Sequence, residues 1–131
     1  MIRAILTSML VATPALAQTP LTADEFEARV TGKTIHFSQA GERAGSEQYF
    51  EGRSVRWQFP DGTCEDGTWY QAGSSICFSY DSAPDMPQCW TFTENDGTLT
   101  GQFDAEPEDP PLLANRINRI PLSCVGPDLG A

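Results

Sequence analysis

The stretch Ser54-Val55-Arg56-Trp57-Gln58-Phe59-Pro60-Asp61-Gly62 decides the fold class. Val55, Trp57 and Phe59 fall on one side of a two-residue period and Arg56 and Gln58 on the other, the alternation of a strand with one buried and one wet face. Pro60-Asp61-Gly62 ends it, because proline presets φ and glycine accepts positive φ. Turn signals return at Ala72-Gly73 and Asn95-Asp96-Gly97, and the runs around them predict strands over residues 34–38, 47–51, 54–59, 68–71, 74–80, 88–93 and 98–103. Strands joined this tightly pair antiparallel. The reading is mainly β: an antiparallel meander sheet or small barrel of about seven strands.

Upstream, the period changes and gives the chain its α+β start. Thr22 and Glu25 form a capping box, Leu21 staples onto Phe26, Phe26 and Val30 share a face, and Gly32 is placed to stop the helix. One short amphipathic helix over residues 22–31 is expected, laid against the sheet. Downstream, Asp104 to Pro111 (Asp-Ala-Glu-Pro-Glu-Asp-Pro-Pro) combines ladder-breaking prolines with four repelling carboxylates, so an exposed acidic loop is expected over 104–111. Residues 112–122, with Ile117, Ile120 and Leu122, are expected to return to the sheet edge.

The first seventeen residues read as an export signal. Arg3 is the positive n-region, Ala4 to Ala12 a short apolar run, and Ala15-Leu16-Ala17 an A-x-A cleavage site before Gln18. The run is too short to span a bilayer as a helix, and Gln18 stands where a lipid-anchored protein would carry cysteine. Residues 18–131 are thus expected to form one periplasmic or secreted domain, without membrane insertion. Of the whole chain's formal charge of -10, Arg3 is one positive unit, so the mature domain carries seven basic against eighteen acidic side chains. Such a field repels nucleic acid and anionic headgroups and leaves a cationic partner possible; solubility alone also accounts for it.

Four cysteines, Cys64, Cys77, Cys89 and Cys124, allow three pairings. A hairpin of 74–80 with 88–93 sets Ile76 opposite Trp90 when Cys77 faces Cys89, keeping Ile76, Phe78, Trp90 and Phe92 on one face and the bridge on the other. Cys64 is left for Cys124. A zinc or redox site would need a C-x-x-C knuckle, which is missing, so no metal and no cofactor are expected.

Catalytic constellations are thin. The one histidine, His36, alternates with Ile35 and Phe37 on a strand and has no G-x-S-x-G elbow to serve. Glu65-Asp66, next to Trp69 and Tyr70, is the best acid pair, although a polar bulge between strands accounts for it equally. The alternation places Trp69 and Tyr70 on opposite faces. Aromatics crowd residues 57–92, and Trp57, Trp69, Tyr70 and Trp90 are the candidate contact residues for a ligand if the sheet curls around a cavity; packing as core is the simpler reading.

Phe59-Pro60-Asp61-Gly62-Thr63-Cys64, Gly67-Thr68-Trp69, Ile76-Cys77-Phe78-Ser79-Tyr80 and Pro87-Gln88-Cys89-Trp90 together resemble a family of small exported alphaproteobacterial proteins of unknown function. The likeness runs over about residues 21–125. It implies a periplasmic Cys/Trp-rich β-domain and carries no catalytic residues. The sequence thus favours a non-enzymatic binding or interaction domain of unknown ligand. A small hydrolase using His36 or Glu65 and Asp66, and a lipocalin-like carrier of a small apolar ligand, are the alternatives.

Overall fold

The computed structural model describes residues 9–12 and 18–126. Arg3 and Ala15-Leu16-Ala17, on which the export reading rests, lie outside them. Helix α1 (Ala23–Val30) is followed by β1 (Thr34–Gln39), β2 (Glu42–Tyr49), β3 (Ser54–Gln58), β4 (Cys64–Ala72), β5 (Ser75–Tyr80), β6 (Gln88–Asn95), β7 (Thr98–Phe103) and β8 (Leu112–Asn118). Each strand pairs antiparallel with the next, and β8 pairs with β1, so the sheet closes into an eight-stranded barrel. The strand beyond the expected seven is the returning segment. Its Ala114 and Ile117 sit opposite Phe37 and Ile35, which turns a sheet edge into a seam.

Local chemistry explains the boundaries. Thr22 accepts a hydrogen bond from the Glu25 amide while the Glu25 carboxylate accepts from the Thr22 amide, the capping box read in the sequence. Asp96 and Gly97 both have positive φ, as a two-residue hairpin between β6 and β7 requires. Strand β2 ends at Tyr49 instead of Glu51, because Gly52 (φ 73°) turns residues 51–53 into a single 3-10 turn. Strand β4 starts at Cys64 instead of Thr68. Asp66 faces out and pairs with the Arg56 guanidinium at 2.7 Å, so the acidic pair is strand, not bulge.

The register sorts the side chains. Ile35, Phe37, Tyr49, Val55, Trp69, Ile76, Phe78, Phe92 and Leu99 form the buried core, and α1 adds Phe26 and Val30, both fully buried. Phe26 meets the rings of Tyr49, Trp69, Phe78 and Phe92, centroids 4.6–6.4 Å away, so the helix plugs one end of the barrel from within. Gln71 accepts from the Ala23 amide and Arg29 pairs with Glu94, fixing the plug to strands β4 and β6. Because alternate strands run in opposite directions, residues 50–53, 73–74 and 96–97 gather at the plugged end. Residues 40–41, 59–63, 81–87 and 104–111 gather at the other.

Two disulfides staple the outside. Cys77 lies directly opposite Cys89 on β5 and β6, with Ile76 opposite Trp90, the register the sequence predicts. Cys64 joins Cys124. On the way there the chain after β8 crosses the outer wall. Thr34 donates to the Ile120 carbonyl, Gln48 accepts from the Leu122 amide and Gln58 donates to the Ser123 carbonyl. This strap accounts for polar outer-wall side chains, Thr34 and Gln58 among them, being buried.

Candidate functional site

The unplugged end of the barrel opens into a cavity of about 290 Å³. Phe37, Tyr49, Trp57, Phe59, Phe78, Tyr80, Trp90 and Phe92 supply its aromatic wall, Ala44 and Leu112 its aliphatic part, and Glu47, Glu65 and Gln88 its polar groups. No basic side chain lines it among the described residues. The space is about twice the roughly 150 Å³ that admits benzene into an engineered apolar cavity.

Small residues on the inner wall let the large rings lie flat. Gly45 faces into the barrel opposite Phe37, and a Cβ there would stand 2.2 Å from the Trp57 ring. Gly67 lies opposite Tyr80 and Gly101 opposite Phe92, and a Cβ at either would meet that ring within 3.0 Å. The rings therefore coat the wall instead of filling the lumen.

The polar groups follow from one rung of the sheet. Ile35, Glu47, Trp57 and Glu65 are successive cross-strand partners on β1 to β4, which puts two carboxyls on either side of the Trp57 indole. Glu47 is buried, and its Oε1 accepts a 2.9 Å hydrogen bond from the Tyr80 hydroxyl. Its Oε2 is buried with no hydrogen-bond partner. Burial raises the Glu47 carboxyl well above the ordinary range; the Tyr80 bond opposes this and the nearby Glu65 charge adds to it. Burial and the Glu47 charge push the Tyr80 phenol far up, so it remains a donor. Glu65, nearer the rim, accepts from Ser82 in the 81–87 loop at 2.5 Å.

The candidates named from sequence divide accordingly. Trp57, Trp90 and Glu65 line the cavity. Trp69 belongs to the plugged end, where it is buried against Phe26 and carries the Arg53 guanidinium 4.6 Å above its ring. Tyr70 points outward and is half-exposed. Asp66 is outside as well, since neighbours on a strand alternate faces, so Glu65 and Asp66 cannot act on one substrate. His36 is on the outer wall. Its Nδ1 lies 2.7 Å from Ser46 Oγ, but Ser46 is solvent-inaccessible and neither residue lines the cavity; burial and the Arg116 and Arg43 charges lower the His36 pKa. Among the described residues no three metal-ligating side chains converge, and no helix is long and apolar enough to cross a membrane.

Sequence reasoning missed Glu47, which stands at the cavity's inner wall. The available signal was its register, one step along the rung from Trp57. No protein-family model, curated protein or solved structure matches the chain. The class rests on the molecule itself: a closed eight-stranded barrel with one end plugged by a helix and the other open to an aromatic cavity.

Proposed function

We propose that the chain is an exported, non-enzymatic binding protein that carries a small, mainly apolar ligand in the open end of its barrel, in the manner of a lipocalin. The observation that supports this most is the cavity itself: about 290 Å³ walled by eight aromatic rings in a barrel whose other end is solidly packed. Ligand sites are concave, mostly apolar and furnished with a few polar groups, and this one has that composition. The export reading draws its support from the leader motif and from two disulfides, which persist in oxidising compartments. A docking role for the 104–111 loop has less behind it. The loop is exposed throughout, with Asp104 accepting from Ser75 and Thr91 and the Glu106 and Asp109 carbonyls accepting from Gln102, so it offers a charged surface and not an enclosed pocket.

Tryptophan fluorescence during titration with phenethyl alcohol, a neutral aromatic of the right size, tests the reading. Saturable quenching is expected in the wild type and loss of it in Ala44→Phe, whose added ring occupies the lumen. A linear, unsaturable response in the wild type contradicts the carrier role.

A further inference from the structure

We infer that the ligand carries a protonated amine beside its apolar body, and that Glu47 Oε2 receives its N–H groups. This rests on the carrier reading and adds the chemistry of the cargo to it. A buried carboxyl oxygen without a partner forfeits a hydrogen bond worth having, and natural interiors satisfy nearly all such atoms. Here the orphaned oxygen belongs to a side chain on the cavity wall, while its twin is held by Tyr80. A ligand donor is therefore the missing half of an arrangement already fixed in place.

Three features favour a cation over a neutral donor. Glu65 stands two strands along the same rung, so two carboxyls address the same space. Trp57 lies between them, and Tyr80 and Trp90 line the same cavity, giving ring faces that attract a cation. No basic lining residue competes for the carboxyls. The titratable groups facing Glu47 are Glu65 from β4, Tyr80 from β5 and Tyr49 from its own strand; β1 and β3 present only Ile35, Phe37, Val55 and Trp57. An anionic ligand would meet two carboxyls and no positive charge.

Proton balance gives this a signature. Burial disfavours the Glu47 carboxylate in the empty site, and an ammonium beside Oε2 favours it. Binding as the ion pair Glu47–COO⁻···H₃N⁺–R therefore releases to solvent whatever proton the empty carboxyl holds. The uptake of amine is thereby coupled to pH, with affinity rising as pH rises until the amine itself loses its proton.

Calorimetric titration of the full mature chain with phenethylamine, phenethyl alcohol and phenylacetate, in two buffers of different ionisation enthalpy near neutral pH, tests the inference. The amine is expected to bind about tenfold more tightly than the alcohol, the margin of a charge-assisted over a neutral hydrogen bond, with net release of protons. Phenylacetate is expected not to bind. Glu47→Gln, which keeps an acceptor for Tyr80, should erase both the preference and the proton release, and Glu65→Gln should reduce the preference. Equal binding of amine and alcohol overturns the amine assignment and leaves the carrier reading standing. Survival of the preference in Glu47→Gln overturns the role of Glu47. Binding of none of the three removes both readings.

Discussion

Gly45 shows how much of the site is decided by single atoms. Its φ of 151° and the Trp57 ring lying where a Cβ would go leave no room for any side chain, and the Gln58 carbonyl is 2.7 Å from the same point. Gly45→Ala is therefore expected to destabilise by several kcal/mol, at the upper end of the roughly 1–3 kcal/mol typical of overpacking or beyond it, because backbone strain adds to the clash. Chemical denaturation checks this, and retention of the wild-type midpoint would contradict the packing described. Glu47 makes a different prediction. Its carboxyl is raised in the folded state, so the folded protein holds the proton more tightly than the unfolded chain. That contribution is fully present below about pH 4.5, the ordinary value, and is lost as pH rises through the folded value. Across that window the melting temperature of wild type should fall more steeply than that of Glu47→Gln, and parallel curves would contradict it. Neither residue was legible as functional from sequence. A glycine declares its neighbour only once strands are paired, and Glu47 stood at the predicted start of a strand whose register was unknown.

At the scale of elements, what was local was legible. The Thr22–Glu25 box, the Gly32 stop and the Asp96-Gly97 hairpin are each encoded in a few neighbouring residues, and each occurs where expected. Strand β4 was read too short because its first half, Cys64-Glu65-Asp66-Gly67, lacks apolar residues; cross-strand partners, Arg56 for Asp66 and Tyr80 for Gly67, compensate from outside the segment. The helix carries the plug's energetics. Phe26 is fully buried amid four aromatic rings, so Phe26→Ala should cost about 3–5 kcal/mol. Thr22→Ala should cost only about 1 kcal/mol, the worth of an N-cap. Thermal unfolding of the two variants side by side checks the ranking, and a smaller loss at Phe26 than at Thr22 would mean that α1 lies against the barrel without plugging it.

For the whole molecule, the cysteine pairing was readable because the hairpin register keeps Ile76, Phe78, Trp90 and Phe92 on one face only when Cys77 meets Cys89. Closure was not readable. Ile117 and Leu112 could have served an open edge as well as a seam, and the choice is made by β1 pairing on both sides, which no local pattern states. The two bridges differ in reach, spanning 12 and 60 residues. In the chain-entropy model the shorter contributes about 3 kcal/mol and the longer about 4 kcal/mol. Cys64→Ser with Cys124→Ser should therefore lower the denaturation midpoint more than Cys77→Ser with Cys89→Ser. It should leave cavity binding intact, since the strap it anchors lies on the outer wall.

The central claim is that the open end of the barrel is the binding site. The three tryptophans report on it separately: Trp57 and Trp90 line the cavity, while Trp69 is sealed beneath Phe26 and Arg53. Indole N–H resonances followed by NMR during titration with phenethylamine give the most direct test. The account predicts saturable shifts at Trp57 and Trp90 with Trp69 unmoved. Shifts at Trp69 alone, or equal shifts at all three, would contradict it.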